Sequence, residues 1–342
     1  MAITKIPAAG FTGNNFRNII INGDMSIAQR GTSTASVASG DNTCDRWNTI
    51  QSSLGVFTQS QDTDVPTGQG FAKSLKMDCT TADASPAVSD RLFIEQKFEG
   101  QNLQYLKKGT ANAESLTLSF WVKSVKTGTY IAQLYDVDND RSISKSYTID
   151  SASTWEKKTI TFAGDTTGTL GNDNSHDLSL RLYLGVGTNY SSGTLQTSWG
   201  ANVNANVAVG QVNLADNTDN NFWITGVQLE AGTTASDFEF LPYDVNFERC
   251  RRYFQYSNYD FIGFSFSTAV NQWLYTNIFY NTTMRANPTL SSNGYTVDGT
   301  TNPLVLGSTT PYGFLAFARA SGASLDIYAA GANAQITSDA EL

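Results

Sequence analysis

A mainly β protein, built as a jelly-roll-like antiparallel sandwich with a smaller C-terminal β-domain joined by a short helix, is what this sequence predicts. Three observations carry the prediction. Charged residues make up only 15% of the chain while aromatics reach 12%, the balance of a sandwich whose outer positions carry short polar side chains rather than helix-favouring Lys and Glu. Short runs alternate apolar and polar residues with a period of two. Turn signals separate those runs, and no heptad or fixed-period repeat appears, which excludes a coiled-coil or β-helical shaft.

In chain order, residues 1–16 are small and Gly/Ala/Asn-rich, too poor in apolar surface to fold alone. Ile19, Ile20 and Ile21 then read as a short strand stopped by Asn22-Gly23, a turn dipeptide. From Trp47 onward come runs at 54–59, 72–77 and 91–98, followed by the cleanest, 116–123, with Leu116, Leu118, Phe120 and Val122 on one face and Trp121 on the other. Lys126-Thr127-Gly128 marks a turn, so 129–136 is expected to return beside 116–123 as a hairpin. Runs at 142–149, 155–162, 178–184 and 222–229 complete the lobe, the third with Leu178, Leu180, Leu182 and Leu184 opposite Arg181 and Tyr183. In the last, Trp223, Thr225, Val227 and Leu229 are expected to share a face. The stretches 164–176 and 190–220 read as loops at the ends of the lobe.

Pro242 and a possible Asp244 N-cap predict a helix over 244–257 whose Phe247, Cys250, Tyr253 and Phe254 form an apolar stripe. Beyond it, runs at 261–266, 272–280, 304–306, 313–318 and 325–329 alternate again. The expected organisation is an arm (1–16), a sandwich (17–243), a linking helix (244–257) and a C-terminal β-domain (258–342).

Two motifs bring a resemblance. The stretch WITGVQLEAG, then DFEFLPY and ERCRRYF, together with RNIIINGDMSIAQR and Asp45-Arg46-Trp47 near the start, resembles the β-domains of bacteriophage tail-fibre and other virion proteins. The strand array, with Thr154-Trp155-Glu156-Lys157-Lys158 entering a strand, is similar to jelly-roll carbohydrate-binding modules. The resemblance implies a virion protein made in the host bacterial cytoplasm, a tail fibre or tail appendage that attaches to host-surface glycan. A capsid decoration or head-fibre protein without receptor binding is the alternative; a polysaccharide-degrading tailspike lacks its β-helical repeat here. Fibre proteins of this kind are commonly trimeric, so a homotrimer is expected.

No enzyme is expected. His176 is the only histidine and stands in a polar loop with no nucleophile signal. Carboxylate pairs such as Asp138 with Asp140, or Glu95 with Glu99, read as turn and surface residues. Asp136, Asp138 and Asp140 carry the spacing of the first calcium-loop ligands, but Arg141 and Tyr147 stand where that loop needs Gly and Glu, leaving an irregular calcium site or a plain acidic turn. No cofactor is implied. Cys44, Cys79 and Cys250 suggest no zinc site or disulfide framework; buried thiols are expected, with a Cys44–Cys79 bridge the alternative. A net charge of -9 argues against nucleic acid, and no apolar run has the length of a membrane span.

Strand parity puts Trp121, Gln133, Tyr135, Arg181 and Tyr183 on the outward side, where flat rings beside amide and guanidinium groups suit sugar recognition. Burial of that face against the second lobe or another subunit is the competing reading. In the arm, Ile3, Ile6, Pro7, Phe11 and Phe16 are the apolar residues that would anchor the chain to other virion proteins.

Overall fold

The computed structural model describes residues 16–40, 43–258, 261–263, 271–297, 304–319, 328–330 and 335–342. Ile3, Ile6, Pro7 and Phe11 therefore lie outside the described residues. The chain is mainly β, as composition and alternation predict. Its large lobe holds β1 (Ser33–Thr34), β2 (Asn48–Ser52), β3 (Val56–Asp62), β4 (Ser74–Thr81), β5 (Arg91–Glu99), β6 (Leu116–Ser124), β7 (Gly128–Asp136), β8 (Arg141–Ile149), β9 (Glu156–Phe162), β10 (His176–Val186), β11 (Gly200–Ala201) and β12 (Asn221–Ala231). They form two six-stranded antiparallel sheets, in the orders β1-β3-β4-β12-β6-β9 and β11-β8-β7-β10-β5-β2.

The core lies between these sheets, and period-two alternation fills it. Leu118, Phe120 and Val122 of β6 and Leu180, Leu182 and Leu184 of β10 are fully buried in one cluster. Such a cluster is what drives two amphipathic sheets face to face, at about 25 cal/mol per Å² of apolar surface removed from water. Trp47 sits in it with no exposed surface, its Nε1 donating to the Asn22 carbonyl at 3.1 Å. All three cysteines are buried and unbridged.

Three expectations need correction. First, β6 and β7 are not a hairpin. β6 pairs with β12 and β9, and β7 with β8 and β10, so residues 125–127 carry the chain from one sheet to the other. Both strands bury an apolar row in the core the two sheets share, where Phe120 of β6 meets Tyr147 of β8 with ring centroids 5.1 Å apart. Second, parity does not hold along β12, because the register with β6 shifts between Thr225 and Gln228 at Gly226 (φ +62°). Phe222 and Ile224 point inward before this bulge, Val227 and Leu229 after it, and the extra residue reverses the alternation. Third, Ile19–Ile21 is not a strand. Side chains bind that segment instead: Asn18 Oδ1 accepts from Ile20 N and Leu229 N, both at 3.0 Å.

The helix α1 spans Tyr243–Arg251, with Pro242 at the N-cap position and Asp244 in its first turn rather than capping it. It ends earlier than expected, and Phe254 belongs to the next strand, β13 (Phe254–Asn258). Further strands are β14 (Phe261–Gly263), β15 (Trp273–Phe279), β16 (Thr289–Asn293), β17 (Thr296–Val297), β18 (Val305–Thr310), β19 (Gly313–Arg319), β20 (Tyr328–Ala330) and β21 (Gln335–Asp339). They make three small antiparallel sheets, β13-β21-β16, β14-β20-β17 and β15-β19-β18.

Charge and aromatic contacts join this lobe to the sandwich. Arg46 stacks over the Tyr253 ring at 3.5 Å, pairs with Glu341 and donates to the Lys97 carbonyl. Arg30 lies 3.7 Å over the Phe254 ring and pairs with Asp339. Glu99 is fully buried and accepts from Arg252 Nε and Nη2, at 2.8 and 2.7 Å.

Candidate functional site

The two sequence motifs meet in space. Arg17 Nε donates to Ser236 Oγ at 2.8 Å and its Nη2 to the Asp237 carbonyl at 2.6 Å, while Glu239 accepts from the backbone N–H groups of Phe16 and Asn18. Gln228 accepts from Glu239 N at 2.8 Å, and Glu230 accepts from Ser236 N and Oγ. These bonds fold 232–241 back over the outer face of the β12 sheet, and the consequence is a pocket.

That pocket has a volume of about 310 Å³. Trp121 of β6 and Lys157 of β9 stand side by side on one wall, as cross-strand partners. Phe71, Phe238 and Phe240 make the other wall, with ring centroids 4.8 to 5.1 Å apart. Gly226 belongs to the lining. A side chain there would place its first carbon 2.5 Å from the Phe71 ring, so the bulge glycine makes room for the aromatic wall and supplies the left-handed φ at little cost. Gln69, Ser119 and Asp237 contribute polar groups. Phe240 is 52% exposed, which leaves a ring face open to solvent.

The five residues predicted to share one outward face do not. Trp121 belongs to the β12 sheet, whereas Gln133, Tyr135, Arg181 and Tyr183 lie on β7 and β10 of the other. The separation follows from the sheet change after β6. Parity itself holds on the second sheet, where Arg181 pairs with Gln133 and with Glu95 across the strands. Yet Gln133 and Tyr183 are buried, the Tyr183 hydroxyl donating to Gln133 Oε1 at 2.9 Å. Val207 and Ala208, from the long 187–213 connection, pack with Phe93, Ile131 and Tyr183, so this half of the face is an inner layer and cannot touch a ligand. Tyr135 and Arg181 remain partly exposed, the guanidinium 4.2 Å from the ring centroid and its Nε 3.1 Å from Glu95.

No family model matches the chain, and no curated protein matches it. Among solved structures, 58% of the chain aligns with the enzymatically active domain of tailspike protein 4 from bacteriophage CBA120, at 15% identity and a TM-score of 0.32, spanning 21% of that chain. A family 11 carbohydrate-binding module from Clostridium thermocellum, solved with a β-1,3-1,4-mixed-linked tetrasaccharide, aligns over 60% of this chain and 99% of its own, at 11% identity and a TM-score of 0.30.

The remaining candidates resolve as follows. Glu95 and Glu99 are buried rather than on the surface, held by Arg181 and Arg252. His176 opens β10 instead of sitting in a solvated loop. Burial, with Lys97, Arg181 and Arg46 nearby, lowers its pKa to about 3, so it stands neutral at pH 7. Asp136, Asp138 and Asp140 do not act together: Asp136 is buried against Lys108, Asp140 accepts the Tyr135 hydroxyl, and Asp138 accepts Gly171 N. Among the described residues no group of three or more His, Cys, Asp or Glu could hold a metal ion. Phe16 is 57% exposed and lines a groove of about 400 Å³ with Ile19, Phe98, Tyr105, Arg249 and Arg252. Sequence reasoning missed Phe71, Phe238 and Phe240; the DFEF motif was the available signal, since two phenylalanines spaced by two in an irregular segment must pack on something.

Proposed function

We propose that this chain is a bacteriophage virion protein of a tail fibre or tail appendage, and that it holds a bacterial surface glycan in the pocket beside Trp121. The pocket carries the reading. A concave site with an indole and an exposed phenyl ring matches the apolar C–H faces of a pyranose, and Lys157, Gln69, Ser119 and Asp237 stand where its hydroxyls need partners. Asp237 is the only carboxylate in the lining. Glycoside hydrolysis ordinarily takes a pair, which favours binding without cleavage. The motif resemblance supports the virion assignment.

Trp121→Ala is expected to weaken binding of the purified chain to bacterial surface polysaccharide about tenfold, roughly 1.4 kcal/mol, with Tm nearly unchanged. Tyr135→Ala, on the opposite sheet, should leave binding intact. Titration calorimetry of both variants decides; full affinity in a folded Trp121→Ala protein would remove the pocket as the glycan site.

Self-association completes the proposal. Trp273, Tyr275 and Phe279 alternate along β15 and are 43%, 55% and 73% exposed, with Tyr312 at 67% close by in sequence to the paired strand β19. An outward aromatic row of this kind suits burial between copies in a trimer. Light scattering should give a trimer for the native chain and a monomer for Tyr275→Lys/Phe279→Lys; a native monomer at micromolar concentration would refute it.

A further inference from the structure

We propose that the groove between α1 and the end of β5 binds a sugar unit bearing a carboxylate, with the Arg249 guanidinium as its anchor. Its volume of about 400 Å³ falls in the usual range for a small ligand, roughly 300 to 1,000 Å³. None of its lining residues also lines the Trp121 pocket, so it is a second site. It extends the glycan-binding role proposed for the chain and depends on it.

Helical spacing explains how a charged residue comes to point here. Asn246, Cys250 and Tyr253 are buried, and Arg249, three residues after Asn246 and four before Tyr253, stands on the same side. Its guanidinium lines the groove, yet among the described residues it makes no ion pair and no hydrogen bond. The carboxylates nearby are engaged elsewhere. Glu99, also in the lining, is held by Arg252, Tyr253 and Gln101. Glu239, whose charge reaches Arg249, has its two oxygens on Phe16 N and Asn18 N. Burial accordingly lowers the Arg249 pKa from the ordinary 12.5, but a guanidinium keeps its proton in a protein. The charge therefore stands half-buried and unmatched, and an entering carboxylate would match it with two parallel N–H···O bonds.

The rest of the groove suits a sugar better than a purely apolar acid. Phe16 and Tyr105 are exposed and offer ring faces to the C–H surface of a pyranose. The Tyr105 hydroxyl and the Asn102 amide bond no described residue and are free to serve sugar hydroxyls. Lys97, Arg249 and Arg252 outnumber Glu99 in the lining. That makes a positive spot on a chain of net charge -9, which draws an acidic ligand rather than a neutral one.

The test titrates the full chain, by saturation-transfer NMR, with the methyl glycosides of glucuronic, galacturonic and N-acetylneuraminic acid, each beside its neutral methyl ester. At least one acid is expected to bind about tenfold more tightly than its ester, the worth of a charge-assisted hydrogen bond. Arg249→Gln should abolish that preference and Arg249→Lys restore part of it, while Tyr105→Ala, at an exposed residue, should weaken acid and ester alike. Trp121→Ala should leave the preference intact. Equal binding of every acid and its ester, or a preference that survives Arg249→Gln, would overturn the site. Displacement of the acidic sugar by benzoate of equal affinity would overturn it too, because the groove would then read the carboxylate and not the sugar. If the chain binds neutral polysaccharide through Trp121 and shows no preference for an acid, this site alone fails; if it binds no glycan, the wider role fails with it.

Discussion

Replacing Glu99 by alanine is expected to lower the unfolding free energy by about 3 kcal/mol, the low end for breaking a buried ion pair. Glu99 is fully buried, and it accepts from Arg252 Nε and Nη2, from the Tyr253 hydroxyl at 2.5 Å and from Gln101. Alanine would strand all of these donors at the junction of the two lobes. The low end applies because the Arg252 side chain keeps 31% of its exposure and can turn to water. Burial alone pushes the Glu99 carboxyl up, but the hydrogen bonds from Arg252 and Tyr253 outweigh it and hold its pKa below the ordinary 4.5. The folded pKa is depressed, so this contribution is present above pH 4.5 and is lost as pH falls further. Urea denaturation at pH 7 should show the full loss, and the gap between the wild type and Glu99→Ala should narrow as the pH is lowered below 4.5. A loss under 1 kcal/mol at pH 7 would mean the joint is held by the contacts of Arg30 and Arg46 instead.

Asn22→Ala should cost about as much, roughly 3 kcal/mol, through a different device. Asn22 has φ +59°, a left-handed conformation that asparagine tolerates and alanine does not favour. Its side chain donates to the Ile27 and Asp45 carbonyls and accepts from Ile27 N, each at 2.9 Å. Alanine removes all three bonds and strains the turn; the Ile27 carbonyl keeps the Asp45 N–H as a donor at 3.0 Å, while the Ile27 N–H and the Asp45 carbonyl lose the Asn22 partner. Asn22→Gly relieves only the strain, so it should recover little. Recovery to within about 0.5 kcal/mol of wild type, below the worth of one hydrogen bond, would assign the effect to the backbone rather than to the bonds.

Much of this fold was legible because strand parity is a local property. Leu116 to Val122 and Leu178 to Leu184 face the core as their alternation says. Two features were hidden for physical reasons. A Lys-Thr-Gly turn serves a hairpin and a sheet-to-sheet corner equally well, so nothing near residue 126 told which strand β6 would pair with. That single ambiguity placed Trp121 with Tyr135 and Arg181. A one-residue bulge at Gly226 then reversed the rest of β12, since a period of two cannot absorb an insertion. The pocket assembles residues 68–71, 119–121, 157, 226 and 237–240, and no spacing rule links segments so far apart. By contrast the motifs at 17–30 and 221–256 read as one unit for a reason now explicit, because Arg17, Asn18 and Asn22 bond directly to Asp237, Glu239 and Asn246.

Hydrogen exchange, followed by mass spectrometry with and without an oligosaccharide from a bacterial surface polysaccharide that the chain binds, tests the glycan pocket most directly. Added protection is expected in peptides covering 66–71, 119–121 and 237–240, which surround Trp121 on the β12 sheet, with 91–97, 133–135 and 179–183 unchanged. Protection confined to that second set, across Tyr135 and Arg181 on the opposite sheet, would contradict the assignment.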